Sequence, residues 1–216
     1  MGKVSIPPEV LLKEGSLTDE EFELMKKHTL FGRDILMSSR NLFNGAVDVA
    51  YAHHENIDGS GYPRGLLGHQ LSQNTKIVAV ADRYDAITSE RVYQKGRTHM
   101  EAITILNKTA SKQHLDASLT MGFVATLGVF PAGSIVELTS GEIAIVLSQN
   151  PQQRLRPQIL VVRDSDKHPV TYRYLDLAEV ETGPDGAPYK IKAMHHAGSF
   201  GIHLADFQTE ITKAFG

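Results

Sequence analysis

The reading turns on two stretches, HHENIDGSGYPRGLLG at 53–68 and KIVAVADRYDAITSERVY at 76–93. The first closes a segment in which Val47, Ala50, Tyr51 and His54 recur at i, i+3, i+4 and i+7, the spacing of one helix face. A helix is expected over 45–55 with His54 turned inward, while His53 shares a face with Val49 and Ala46. Gly59, Gly61, Pro63, Gly65 and Gly68 then exclude a helix and make 56–68 a structured loop. The second stretch predicts a helix over 75–89, with Ile77, Ala81, Tyr84 and Thr88 on one face and Val78, Asp82 and Asp85 on another.

Outward from this centre, Thr18 with Glu21 reads as a capping box, each side chain satisfying a backbone N–H left free at a helix start. The helix it opens carries an inward stripe of Phe22, Met25, His28, Gly32, Ile35 and Leu36. Thr98 with Glu101 opens a fourth helix, and a fifth follows Asp116. Helical signals end near 128. Beyond it, GSIVELTSGEIAIVL at 133–147 reads as a β-hairpin turning through Ser140 and Gly141. PQILVVR at 157–163 and VTYRYLDL at 170–177 extend it. The expected fold is mainly α: a helical domain over 1–128, then a small β-sheet or barrel module of four or five strands over 129–216.

Composition narrows the chemistry. The chain has 216 residues, with 22 Lys and Arg against 25 Asp and Glu, so it lacks the basic footprint of a protein that binds large nucleic acids. It has no cysteine, which excludes disulfides, thiolate zinc sites and a cysteine nucleophile together. A metal would have to be held by His, Asp or Glu. No secretory signal is read at the start, so a cytoplasmic location is expected. Residues 117–136 carry no charge, but Gly122, Gly128, Pro131 and Gly133 suit a helix running into a strand, and no membrane span is expected.

His28, His53 and His54, with Asp82 and Asp85, lie on inward or shared faces of three consecutive expected helices. Imidazole and carboxylate together suit Fe, Mn, Zn or Ni between helices. For each histidine alone, a hydrogen-bonded buried ring is the competing reading; two adjacent imidazoles weaken it. His195 and His196 form another pair without a carboxylate at helical spacing, and are read as ordinary strand or loop residues.

HHE, DGSGYP and ADRYDAITS, in this order and spacing, closely resemble the HD-GYP family, whose members hydrolyse the bacterial second messenger cyclic di-GMP. The resemblance runs from Gly2 to about Leu127 and implies an HD-type helical bundle. It implies His28, His53, His54 and Asp82 as metal ligands, with Fe or Mn the expected ions, two or three in the intact family site. It further implies Lys3 as the lysine of an HDxGK motif, acting with Asp82 in catalysis and contacting a substrate phosphate. Tyr62, Asp85 and Arg91 would contact substrate, and Gly61 and Pro63 would shape the loop. Two ions about 3.5–4 Å apart can activate water and clamp a phosphodiester.

One departure from the family pattern is large. Met1 takes the x position of HDxGK, so the sequence does not include the motif's His and Asp. It reads as truncated inside the motif, its bundle incomplete, holding at most one metal and nearly inactive. Apolar helix faces left uncovered would favour a homo-oligomer. Gln94 stands where family members carry a basic residue, and Lys95 is the only substitute beside it. Two alternatives stand beside the phosphodiesterase. One is a non-catalytic module that binds cyclic di-GMP or docks a protein partner through the GYP loop. The other is a related helical metallohydrolase acting on a different phosphate ester.

Overall fold

The computed structural model describes residues 2–39, 44–89, 96–184 and 186–215. Its contacts group the chain into two units, Met1–Gln94 with Ala102–Val124, and Lys95–Glu101 with Ala125–Gly216. The helices are α1 (Pro8–Leu11), α2 (Asp19–Lys26), α3 (His28–Met37), α4 (Asn44–Ala52), α5 (Gln73–Thr88), α6 (His99–Ser111), α7 (Ala117–Leu127) and α8 (Gln208–Phe215).

In the first unit, α2 starts on the expected capping box: the Thr18 N–H donates to Glu21 Oε2 at 2.7 Å and the Glu21 N–H to Thr18 Oγ1 at 3.3 Å. The single helix expected from Thr18 through Leu36 is instead two. The Lys27 N–H turns back to the Leu24 carbonyl at 3.1 Å, a tighter i→i−3 bond, and α3 begins afresh at His28. The break leaves Phe22 off the inward stripe and 44% exposed, while His28, Gly32 and Leu36 stay buried. A short 3₁₀ turn, Gly2–Ser5, packs on α3. A Cβ at Gly2 would stand 1.8 Å from the His28 carbonyl oxygen and 2.5 Å from the Gly32 nitrogen, so only glycine allows this approach.

Helix α4 stops at Ala52, earlier than the expected 55; His53 and His54 occupy the turn that follows, its backbone held by His53 N–H to Val49 O (3.0 Å) and Glu55 N–H to Ala52 O (3.0 Å). Helix α5 starts at Gln73, capped by Ser72 Oγ accepting from the Thr75 N–H at 3.2 Å. Its buried residues are Thr75, Ala79 and Val80, whereas Ile77 is 43% and Val78 36% exposed, so the buried residues belong to neither of the two faces read from the sequence. Ala79 and Val80 pack with Leu106 and Leu115.

In the second unit, β1 (Ile135–Leu138), β2 (Ile143–Ser148), β3 (Gln158–Arg163), β4 (Pro169–Asp176) and β5 (Ile191–His195) form one antiparallel sheet in the order β4-β3-β2-β1-β5. The β1–β2 hairpin pairs Ile135 with Ile145 and Glu137 with Ile143. IAIVL and ILVV are unbroken apolar runs because both faces of the central strands are covered. Ile143, Ile145 and Leu160 pack with Ile202 and Phe207 on one face; Ala144, Val146 and Val161 pack with Leu177 and Tyr189 on the other. The fold is thus a helical domain followed by a five-stranded sheet module. Among the described residues no helix is long and apolar enough to cross a membrane. Helix α7 is followed by Gly128 at φ +68°, where a Cβ would stand 2.1 Å from the Gln149 side-chain oxygen.

Candidate metal centre

Two of the three histidines are oriented by the backbone around them. His28 Nδ1 lies 2.7 Å from the Met25 carbonyl, and His53 Nδ1 lies 3.0 and 3.1 Å from the Val49 and Ala50 carbonyls. A carbonyl only accepts, so both Nδ1 atoms carry a proton, and in the neutral ring, the form that binds metal, Nε2 presents its lone pair. Those two Nε2 atoms face each other at 3.4 Å. Two acceptors cannot bond to one another, but a shared cation satisfies both; nitrogen ligands at ~2.1 Å with a tetrahedral angle lie about 3.4 Å apart. His54 completes the group, its ring centroid 4.2 Å from that of His53 and 5.0 Å from that of His28. One ligand atom from each of the three lies within 4.8 Å of the others, so the cluster can hold a metal ion.

Electrostatics keep the site receptive to a cation. Burial, helped by His53 and Lys3, holds His28 below the ordinary imidazole range against the opposing Met25 hydrogen bond and Asp82 charge. Burial, followed by the neighbouring His53, His28, Lys3 and Arg83, pushes His54 down to about 3. Neutral imidazole is the ligating form. Asp82, from α5, brings Oδ2 to 3.9 Å from His54 Nδ1, too long for a hydrogen bond, and the neutral ring gives it no ion pair. His53 and Asp82 stand at one end of a cleft of about 500 Å³ between α4 and α5, walled by Ala46, Val49, Ala50 and Val78.

The 56–68 loop is fastened to the end of α4 by a residue that the sequence reading did not single out. Glu55 is 3% exposed, and its two carboxylate oxygens accept from the Arg64 N–H (2.7 Å) and the Leu66 N–H (3.0 Å). The Tyr62 N–H donates to the His54 carbonyl at 3.2 Å, and a Cβ at Gly61 would stand 2.2 Å from the Asn56 nitrogen. The loop therefore lies directly on the backbone of 54–56, which sets the Tyr62 ring in a stack on His54 (centroids 4.8 Å, 28°). The Tyr62–Pro63 peptide is cis. Burial, with the Asp82 charge, pushes the Tyr62 hydroxyl up to about 12, so it stays a donor. HHE marks Glu55 by adjacency alone; nothing in its spacing announces contacts nine and eleven residues away.

The remaining sequence candidates divide. Lys3, on the turn against α3, acts electrostatically on both His28 and His54. Asp85 is exposed and accepts from the Ser89 hydroxyl at 3.0 Å, and no described contact joins it to the histidines. Arg91, with Gln94 and Lys95, lies outside the described residues. Arg83, whose charge bears on His54 and Tyr62, was not anticipated. In the sheet module His195 Nε2 lies 3.1 Å from Glu137 Oε2, a carboxylate supplied across the β1–β5 pair rather than by helical spacing.

Comparison with known proteins agrees with this architecture. The family model described as HD domain matches residues 1–119, and one described as KOW domain associated with HD domain matches residues 135–182. The chain is 39% identical over 218 residues to cyclic di-GMP phosphodiesterase PA4108 of Pseudomonas aeruginosa, covering 100% of this chain and 51% of that protein. It is 46% identical over 108 residues to the cyclic di-GMP phosphodiesterase response regulator RpfG of Xanthomonas campestris, covering 49% of this chain and 28% of that one. A solved HDG"Y"P protein from Bdellovibrio bacteriovorus superposes with a TM-score of 0.47 at 20% identity, over 58% of this chain and 39% of that one. The chain spans about half the length, or less, of these curated relatives. The chain belongs to the HD-domain family, as a member of its HD-GYP group.

Proposed function

We propose that the chain is a metal-dependent phosphodiesterase whose substrate is cyclic di-GMP. The observation that carries this reading is the pair of Nε2 atoms of His28 and His53, 3.4 Å apart with His54 beside them, in a chain similar to cyclic di-GMP phosphodiesterases. A divalent ion, Fe or Mn by the family likeness, supplies water activation and charge neutralisation at the phosphodiester when bound. The three imidazoles hold it, and Asp82 contributes the carboxylate of the set. Lys3 opposes the phosphate charge. The Tyr62 hydroxyl, kept protonated, donates to a phosphate oxygen and its ring walls off water on the His54 side. By the family likeness, Asp85 and Arg91 would contact the substrate.

Three imidazoles and one carboxylate make a ligand set for one ion, so a two-ion clamp is not assembled from the described residues and slow turnover is expected. The test is hydrolysis of cyclic di-GMP by the chain loaded with Mn or Fe. Slow, metal-dependent release of product, lost in His53→Ala, supports the reading. Tight binding of cyclic di-GMP with no hydrolysis overturns it in favour of a non-catalytic binding module, and preference for simple phosphomonoesters overturns the substrate.

A further inference from the structure

Outside the ligand set, an aromatic and a cationic side chain gather against the outer side of Tyr62. Phe22, put off the core stripe by the break at Lys27, is 44% exposed and meets the Tyr62 ring edge-on, with centroids 6.1 Å apart at 79°. Lys26, one turn further along α2, places Nζ 4.8 Å from the Phe22 centroid and 5.7 Å from the Tyr62 centroid. Glu23 Oε1 holds that ammonium at 2.6 Å. Since Tyr62 stacks on His54, an unbroken line of ring contacts runs from the metal cluster out to Phe22.

We propose that Phe22 and Lys26 form a nucleobase subsite beside the metal centre: a purine of the substrate stacks on the exposed face of Phe22, and the Lys26 ammonium faces the phosphate attached to it. The proposal rests on the phosphodiesterase reading and deepens it. A half-exposed aromatic ring beside a phosphodiester site suits a flat heteroaromatic ring, and stacking tolerates any base because each has a π-face. The rings hold the Lys26 ammonium in place, and a phosphate would exchange with the exposed Glu23 carboxylate that pairs with it. The arrangement selects diesters that carry a base over bare phosphate esters.

The chain contains no tryptophan, so Phe22→Trp introduces a single indole as a local reporter. Cyclic di-GMP added to the metal-loaded variant is expected to quench that fluorescence, whereas ribose 5-phosphate and inorganic phosphate leave it unchanged. Phe22→Ala is expected to weaken cyclic di-GMP binding in calorimetry by roughly 5- to 100-fold, with metal binding unaltered. Lys26→Met, which keeps the stem, is expected to reduce the salt dependence of binding. Unchanged affinity in Phe22→Ala, or binding without quenching, overturns the subsite while leaving the phosphodiesterase reading intact. Failure of cyclic di-GMP to bind the parent chain overturns that reading and the subsite with it.

Discussion

His28 Nε2 and His53 Nε2 point at each other across 3.4 Å, each ring already committed to a backbone carbonyl through Nδ1. Neither nitrogen satisfies the other when both rings are neutral, and one shared cation would satisfy both, so the pair can serve as a cation site. Elemental analysis after gel filtration is expected to find one divalent ion per chain, and none in a His28→Ala, His53→Ala double variant. Ion at ~100 times its Kd adds about 2.7 kcal/mol to stability, so a chelator should lower the melting temperature of the parent and not of the double variant. Two tightly held ions per chain would contradict the one-ion ligand set.

Glu55, itself buried, anchors the loop through two charge-assisted bonds to the Arg64 and Leu66 amides. Glu55→Ala strips both N–H groups of their acceptor and should cost about 3 kcal/mol in urea unfolding. Glu55→Gln retains a single acceptor oxygen and should cost about half as much. Equal stability of parent and Glu55→Ala would show that the loop is held by other contacts.

His99 is 5% exposed and lies 2.9 Å from the Gly128 carbonyl through Nε2; burial lowers its pKa despite that hydrogen bond. Below pH 6.5 the unfolded chain therefore binds more protons at this residue than the folded one. Its contribution is full above that pH and declines as the pH falls from 6.5 toward the lowered folded value. Denaturation curves at a series of pH values should show this loss, and His99→Gln should reduce it to the part that His28 and His54 contribute in the same direction.

Glu142, 9% exposed, accepts from the Tyr189 hydroxyl at 2.5 Å, from the Ser140 hydroxyl at 2.6 Å and from Arg173. Burial and this carboxylate push Tyr189 up to about 12. Glu142→Ala leaves a buried phenol without its acceptor and should destabilise the sheet module by about 2–4 kcal/mol. Tyr189→Phe removes one donor from a carboxylate that keeps two others, and should cost about 1 kcal/mol. Urea unfolding of the two variants checks the order.

What the sequence determined by itself is local chemistry. Capping boxes at Thr18 and Thr98, apolar periodicity, and turn residues such as Gly141 set the helices and the hairpin, because each signal acts within a few residues. Adjacent His53 and His54, the HHE and DGSGYP motifs and the absence of cysteine likewise singled out the imidazoles that the fold brings together into a cluster able to hold a metal ion. Only tertiary structure decided the rest. The break at Lys27 exposes Phe22, and α5 buries Thr75, Ala79 and Val80 while leaving Ile77 and Val78 open; both depend on what packs against each helix, which periodicity does not encode. The grip of Glu55 on Arg64 and Leu66 and the reach of Glu137 to His195 join residues whose separation in sequence carries no signal. Which imidazole nitrogen is free was likewise settled by the carbonyls of Met25, Val49 and Ala50, since a ring's tautomer follows from the acceptor it meets in space.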